Sequence, residues 1–155
     1  MNRTQQPKKV SIKSIFCLYL VFIEFSVSPP VQAQIIPDST LGTEASQLNQ
    51  NQITKDAPGD KIDGGATRGI NLFHSFSEFN IQDGQRVYFA NPTGVENILT
   101  RVTGRNGSNI FGTLGVAGAA NLFLINTNGI LFGQNASLDV QGSFVGTTAN
   151  GVQFG

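Results

Sequence analysis

The chain is poor in the residues that most enzymes and secreted disulfide scaffolds depend on. Its 155 residues include one cysteine, one histidine, one methionine and no tryptophan. A lone thiol at Cys17 rules out an internal disulfide framework. Charge is equally scarce: 13% of residues are charged, and ten Lys and Arg balance ten Asp and Glu. A net charge of zero, with no basic tract beyond the N-terminus, gives no electrostatic reason to expect a nucleic acid or an acidic substrate as partner. No apolar run reaches the roughly 20 residues needed to span a bilayer as a helix. What remains is 18 glycines, 12 phenylalanines and many Asn, Val and Ile. This mixture of β-formers and turn-formers carries too little charge to stay disordered and too few helix-formers to favour helix. The length permits one domain.

The basic residues that do cluster lie at the start. Arg3, Lys8, Lys9 and Lys13 precede an apolar stretch from Ile15 to Val27, interrupted by Glu24 and closed by Pro29-Pro30. Val31-Gln32-Ala33 then offers the small residues that signal peptidase accepts, so residues 1–33 read as a secretory signal cut between Ala33 and Gln34. A membrane anchor is the rival reading, but the run is too short for a span. Cleavage removes Cys17, so the mature chain would fold without any disulfide in an oxidising compartment. It would also be mildly acidic, with Lys55, Lys61, Arg68, Arg86, Arg101 and Arg105 set against nine carboxylates.

Two textures follow. Residues 34–65 are polar, include Leu48 to Gln52 (LNQNQ), and carry turn-formers at Pro37-Asp38, Pro58-Gly59 and Gly64-Gly65. A short strand is expected only at Gln34 to Ile36. From Asn71 the apolar residues crowd together: Leu72, Phe73, Phe76, Phe79 and Ile81, then Val87, Tyr88 and Phe89 after Asp83-Gly84. They read as strands around a turn, although Leu72, Phe73 and Phe76 would also suit one face of a helix. Short clusters then recur at Val95 to Val102, Ile110 to Leu114, Asn121 to Ile125, Ile130 to Phe132, Ala136 to Val140 and Ser143 to Thr148. Turn-formers divide them, at Gly104 to Ser108, Gly115 to Gly118, Asn126 to Gly129, Gly133 to Asn135 and Gln141-Gly142. Brief strands between tight corners suit a solenoid whose coils pair in parallel and stack apolar side chains inside. A β-sandwich is the alternative.

Corners need residues that reach left-handed backbone cheaply, which is the property of Gly and Asn. Asn121, Asn126, Asn128 and Asn135 are therefore candidates to satisfy backbone groups that the bends leave unpaired, with plain surface loops as the alternative. Candidates for chemistry are thin. His74 sits between Phe73 and Phe76 with no nucleophile or carboxylate that sequence ties to it, which favours a packed histidine over a catalytic base. Asp56, Asp60 and Asp63 form the one acidic cluster, and their spacing is not that of a calcium loop. Asp139 stands apart from other carboxylates. Gly112, Gly115 and Gly118 are spaced like part of a nucleotide loop, but no long helix pattern follows them. No catalytic residue, cofactor site or metal site is expected.

Several separated segments carry a family resemblance. Ile70 to Phe76 (INLFHSF) with Phe79-Asn80-Ile81, Val95 to Gly104 (VENILTRVTG), and Asn121 to Phe132 (NLFLINTNGILF) resemble the filamentous haemagglutinin N-terminal domain. This is the secretion domain of two-partner secretion (TpsA-type) exoproteins. The resemblance runs from about Ile35 to Gly155. It implies an all-β chain folded as a right-handed parallel β-helix with N-terminal capping strands, and a domain at residues 34–155 that stops where family members continue, so that the β-helix is truncated at its C-terminus with an uncapped last coil. It also implies a route: export by the Sec machinery, recognition in the periplasm by a TpsB-type outer-membrane β-barrel through its POTRA domains, passage unfolded, and folding outside, on the cell surface or free of it. Adhesion to a host-surface protein or glycan would belong to a downstream region.

The family's Asn-Pro-Asn-Gly-Ile turn matches Asn126, Thr127, Asn128, Gly129 and Ile130, with threonine in place of proline. Proline presets φ for the second position of a type I turn, so threonine permits the same turn with less preorganisation. A second family turn that begins Asn-Pro matches Asn91-Pro92, although Thr93-Gly94 departs from its continuation. The first turn is the candidate transporter-recognition element, and Asn91-Pro92 is a candidate second turn motif. Two other functions stay open: a surface-binding module acting directly on a protein or glycan through exposed Phe and Leu, and a β-helix enzyme acting on polysaccharide, which would require clustered carboxylates beside a sugar groove.

Overall fold

The computed structural model describes residues 34–152. The expected signal segment, with Ala33, lies outside the described residues, and Gln34 is the first of them. In chain order the elements are β1 (Ile35–Pro37), a single 3₁₀ turn (Gly42–Glu44), β2 (Ser46–Thr54), β3 (Ala57–Gly64), β4 (Ala66–Arg68), β5 (Asn71–Phe79), β6 (Arg86–Ala90), β7 (Asn97–Val102), β8 (Ser108–Ile110), β9 (Thr113–Ala117), β10 (Asn121–Asn126), β11 (Ile130–Phe132), β12 (Ser137–Asp139) and β13 (Phe144–Thr147). They form a β-solenoid of about four turns.

Three sheets run along the stack. The first has the order β1-β5-β7-β10-β13, the second β12-β9-β6-β3-β2, and the third joins β8 to β11. Ile81 extends the third sheet by one parallel bridge to Ile110. One coil is thus β5, Ile81 and β6; the next is β7, β8 and β9; the next is β10, β11 and β12; β13 opens another. Every strand from β5 to β13 pairs in parallel with its counterpart one coil away. This exact repetition of register places Leu72, Ile98, Leu122 and Phe144 in one inward column. Burying each such side chain contributes roughly 2 kcal/mol.

The lower end of the stack is closed by antiparallel strands, as the resemblance implied. β1 and β4 both lie antiparallel on β5, and β2 is antiparallel to β3, which then pairs in parallel with β6. An antiparallel, largely polar terminal strand ends a parallel stack without offering a template for a further coil. Just above this cap the core is aromatic. Phe76 meets Phe79 edge-on at 5.3 Å, Phe79 stacks on Phe89 at 6.0 Å, and the His74 ring lies 5.1 Å from Phe89.

The structure departs from the sequence reading in three places. The polar segment holds the longest hairpin, β2–β3, rather than one short strand and loops. Its turn is Lys55-Asp56, whose φ values of 49° and 66° are those of a tight two-residue hairpin, so Pro58-Gly59 falls inside a strand. Pro58 is tolerated there because β3 pairs with β6 only through Asp60, Lys61 and Ile62, leaving its missing N–H outside that ladder. The cluster read as Ile110 to Leu114 is split by a corner: Phe111 N bonds Ile81 O and Thr113 N bonds Gln85 O, so the chain passes from the third sheet to the second. Gly115, read as a turn, lies within β9. A Cβ there would come 2.7 Å from Cδ1 of Tyr88, its register partner one coil below, so this glycine makes room for a ring. The segment 71–79 is strand, not helix.

Candidate functional site

The turn at Asn126 to Ile130 closes β10 into β11. Gly129 N donates to Asn126 O at 3.1 Å, giving a four-residue β-turn with Thr127 and Asn128 at its exposed tip. Gly129 has φ +112°, a conformation that penalises any side chain, which explains the glycine. Asn126 is fully buried. Its Oδ1 accepts from Asn128 N at 2.9 Å, and its Nδ2 donates to Asn106 O and Ser108 Oγ, both at 3.0 Å. Asn128 Nδ2 reaches down to Gly104 O at 2.8 Å. Ile130 packs half-buried against the core. The turn is therefore bolted to the coil below by two asparagines, and only Thr127 and Asn128 are presented to solvent.

The Asn91-Pro92 turn lies at a different corner, between β6 and β7. Val95 N donates to Pro92 O at 3.1 Å, and Asn91 Nδ2 donates to Val95 O at 2.9 Å. Pro92, Thr93 and Gly94 are exposed, and Gly94 takes φ +86°. Asn91 Oδ1 accepts from Ala120 N at 3.0 Å in the coil above. The two turns thus share a construction, an asparagine whose side chain bonds within the fold below an exposed tip, but they lie at separate corners and do not join into one patch.

The residues examined for chemistry have structural partners. His74 Nδ1 lies 3.0 Å from Ser46 Oγ, which also accepts Ser75 N at 3.2 Å. Ser46 Oγ has one proton and two lone pairs, so it can donate to Nδ1 or accept from it, and Nε2 has no partner among the described residues. Burial pushes the His74 pKa down to about 4, with the negative charge of Asp63 opposing the shift, so the ring is neutral at pH 7. Asp63 accepts from Asn49 and pairs with Lys61 at 3.1 Å, Asp60 caps Asn51 N, and Asp56 forms the hairpin turn. Among the described residues no group of His, Cys, Asp and Glu is arranged to hold a metal ion.

Asp139, isolated in the sequence, is not isolated in space. It accepts from Lys55 Nζ at 2.7 Å and from Tyr88 OH at 2.8 Å, and the Lys55 bond is the first cause of its lowered pKa. Arg86 Nη2 donates to Tyr88 OH at 3.0 Å, while the Arg86 and Lys55 cations lie 5.0 and 5.6 Å from the Tyr88 ring centre. This cluster ties the tip of the β2–β3 hairpin to β12 across the outside of the second sheet. Its partners are 84 and 51 residues apart, a separation that leaves no local signal in the sequence. It presents one carboxylate, not the pair that sugar hydrolysis requires.

The model of the TPS secretion domain family matches residues 33–155. No curated protein and no solved structure matches the chain.

Proposed function

The chain belongs to the TPS secretion domain family, and from that premise we propose that it is the portion of a two-partner secretion exoprotein which a TpsB-type outer-membrane transporter recognises in the periplasm through POTRA domains. The observation that carries this reading is the family match over residues 33–155, which spans the whole described solenoid. Residues 1–33 would direct the chain to the Sec machinery and leave by cleavage between Ala33 and Gln34. Residues 34–155 would then form the secretion domain, released to the cell surface or the medium. Any adhesive function toward a host protein or glycan is assigned on this reading to sequence beyond the domain.

The chemistry suits that route. Passage through a narrow barrel requires an extended chain, and a mature segment without cysteine cannot be trapped by a disulfide. Its short segments, rich in apolar β-formers and sparse in charge, can add to an exposed sheet edge in the partner while still unfolded. Folding outside would bury one column residue after another, and that burial would oppose slippage back through the pore.

The geometry of the Asn126 turn bears on when recognition occurs. In the folded solenoid the Asn126 side chain is spent on internal bonds, so a partner that reads the whole motif must meet it before folding. The test is titration of purified POTRA domains with the chain in two states, freshly diluted from denaturant and refolded. Binding is expected to the unfolded chain and to weaken about tenfold in Asn126→Ala. Equal affinity for the folded chain, unaffected by substitution at Asn126 or Asn128, would contradict the reading.

A further inference from the structure

The third sheet keeps its apolar residues inside and carries amides and one ring outside. Ile81 and Ile110 are fully buried and bridge in parallel, so strand alternation puts Gln82, Asn109 and Phe111 on the outer face. With Asn80, with Glu78 at the end of β5 and with Asn106 ahead of β8, they line an open groove of about 410 Å³. We propose that this groove is a binding site for a neutral oligosaccharide, a role additional to export and held within the domain itself.

The polar groups of the groove are fixed before any ligand arrives. Asn80 is only 8% exposed, and its Oδ1 accepts from Asn109 N at 2.9 Å and from Asn109 Nδ2 at 3.3 Å. A backbone N–H can only donate, which settles the orientation of the Asn80 amide. Its Nδ2 donor and the Asn109 Oδ1 acceptor are left to the groove, side by side. Adjacent hydroxyls of a sugar complement that pair: one oxygen accepts from Nδ2 while its neighbour donates to Oδ1. Asn106 Nδ2 donates to Glu78 Oε1 at 2.6 Å, which steadies the carboxylate and leaves Oε2 to accept a further hydroxyl. Groups held in place by the fold cost little to order on binding. The apolar part comes from Phe111, half-buried beside these amides. A Cβ at Gly133 would collide with Phe111 Cδ1, so the glycine one coil above lets the ring rest against the sheet. Such a ring is a platform for the C–H face of a sugar. Leu131, 55% exposed, stands in register above Asn109 and extends the apolar border.

The same inventory excludes other ligand classes. The lining holds one carboxylate and no cation, which disfavours sulfated, phosphorylated or uronic-acid-rich chains. An extended peptide gains most from a free strand edge, but the backbone here is already paired: Ile81 N donates to Asn109 O, Phe111 N to Ile81 O and Gly133 N to Ile110 O.

The test is titration of the refolded, isotope-labelled chain with maltohexaose, cellohexaose and chitohexaose, read by amide chemical shifts, with a heparin hexasaccharide as the anionic comparison. Saturable shifts confined to residues 78–82 and 106–111 are expected with at least one neutral probe and not with heparin. Phe111→Leu keeps an apolar side chain against Gly133 but removes the flat ring, and should weaken that binding about tenfold. Asn80→Asp keeps the acceptor for Asn109 and removes the free donor; it should weaken binding by a similar factor, with shifts outside the groove unchanged. Should either variant fail to fold, Gln82→Ala on the outer face replaces it and should weaken binding severalfold. No saturable shift with any neutral probe, shifts centred elsewhere, tighter binding of heparin, or undiminished binding in the folded variants would overturn the proposal. None of these outcomes depends on a transporter.

Discussion

His74 is a titratable side chain sealed in the core, and it makes stability depend on pH in a defined direction. Its folded pKa is about 4, below the unfolded value of about 6.5, because burial disfavours the imidazolium among Phe76, Phe89 and Thr100. Above pH 6.5 the ring is neutral in both states and its contribution is complete. As pH falls from 6.5 toward 4, the unfolded chain binds a proton that the folded chain refuses, so stability declines by about 1.4 kcal/mol per pH unit, roughly 3 kcal/mol in all. Asp38, whose pKa is lowered by bonds from Thr103, Thr40 and Ser75 against its desolvation, adds its own loss only at lower pH. Urea midpoints at pH 7 and pH 4.5 should differ accordingly, and the difference should shrink in His74→Leu. The packed state of this histidine was legible from its Phe neighbours; its bond to Ser46, 28 residues away, was not.

Among the elements, those rich in β-branched and aromatic residues were legible and the polar ones were not. β7, β10, β11 and β13 fall within apolar clusters that turn-formers bracket. The β2–β3 hairpin escaped notice because its exposed face carries Gln and Asn, and only Leu48 and Ile62 mark it as packed. Glycine misled at Gly115 because residue type alone does not separate a bend from a space left for a ring. The Asn126 turn was read correctly as a corner, though its role in recognition rests on the family. The threonine within it supports a prediction at this scale. Asn126 ends a strand and is extended, so a proline can follow it without clash, and Thr127 occupies the position where proline presets φ. Thr127→Pro should raise the unfolding free energy by about 0.5–1 kcal/mol through the unfolded state, seen as a higher urea midpoint at constant slope.

At the scale of the whole molecule, the three properties that seemed to be deficits act together. Without disulfides the chain carries no cross-link to stop it being threaded, without strong charge its strands can stack in register at close quarters, and among the described residues the Asp139 cluster presents a single carboxylate. What holds the solenoid is repetition: the same columns, corners and asparagine bonds in successive coils. Long-range ties such as Lys55 to Asp139 then fasten the cap to the upper coils. The central claim is that this domain exists to be carried across an outer membrane by a dedicated partner. The direct test is to fractionate cells expressing the full chain with and without the TpsB-type transporter, and to blot periplasm, surface and medium. The account predicts product on the surface or in the medium when the transporter is present and retention in the periplasm when it is absent. The same distribution in both strains would contradict it.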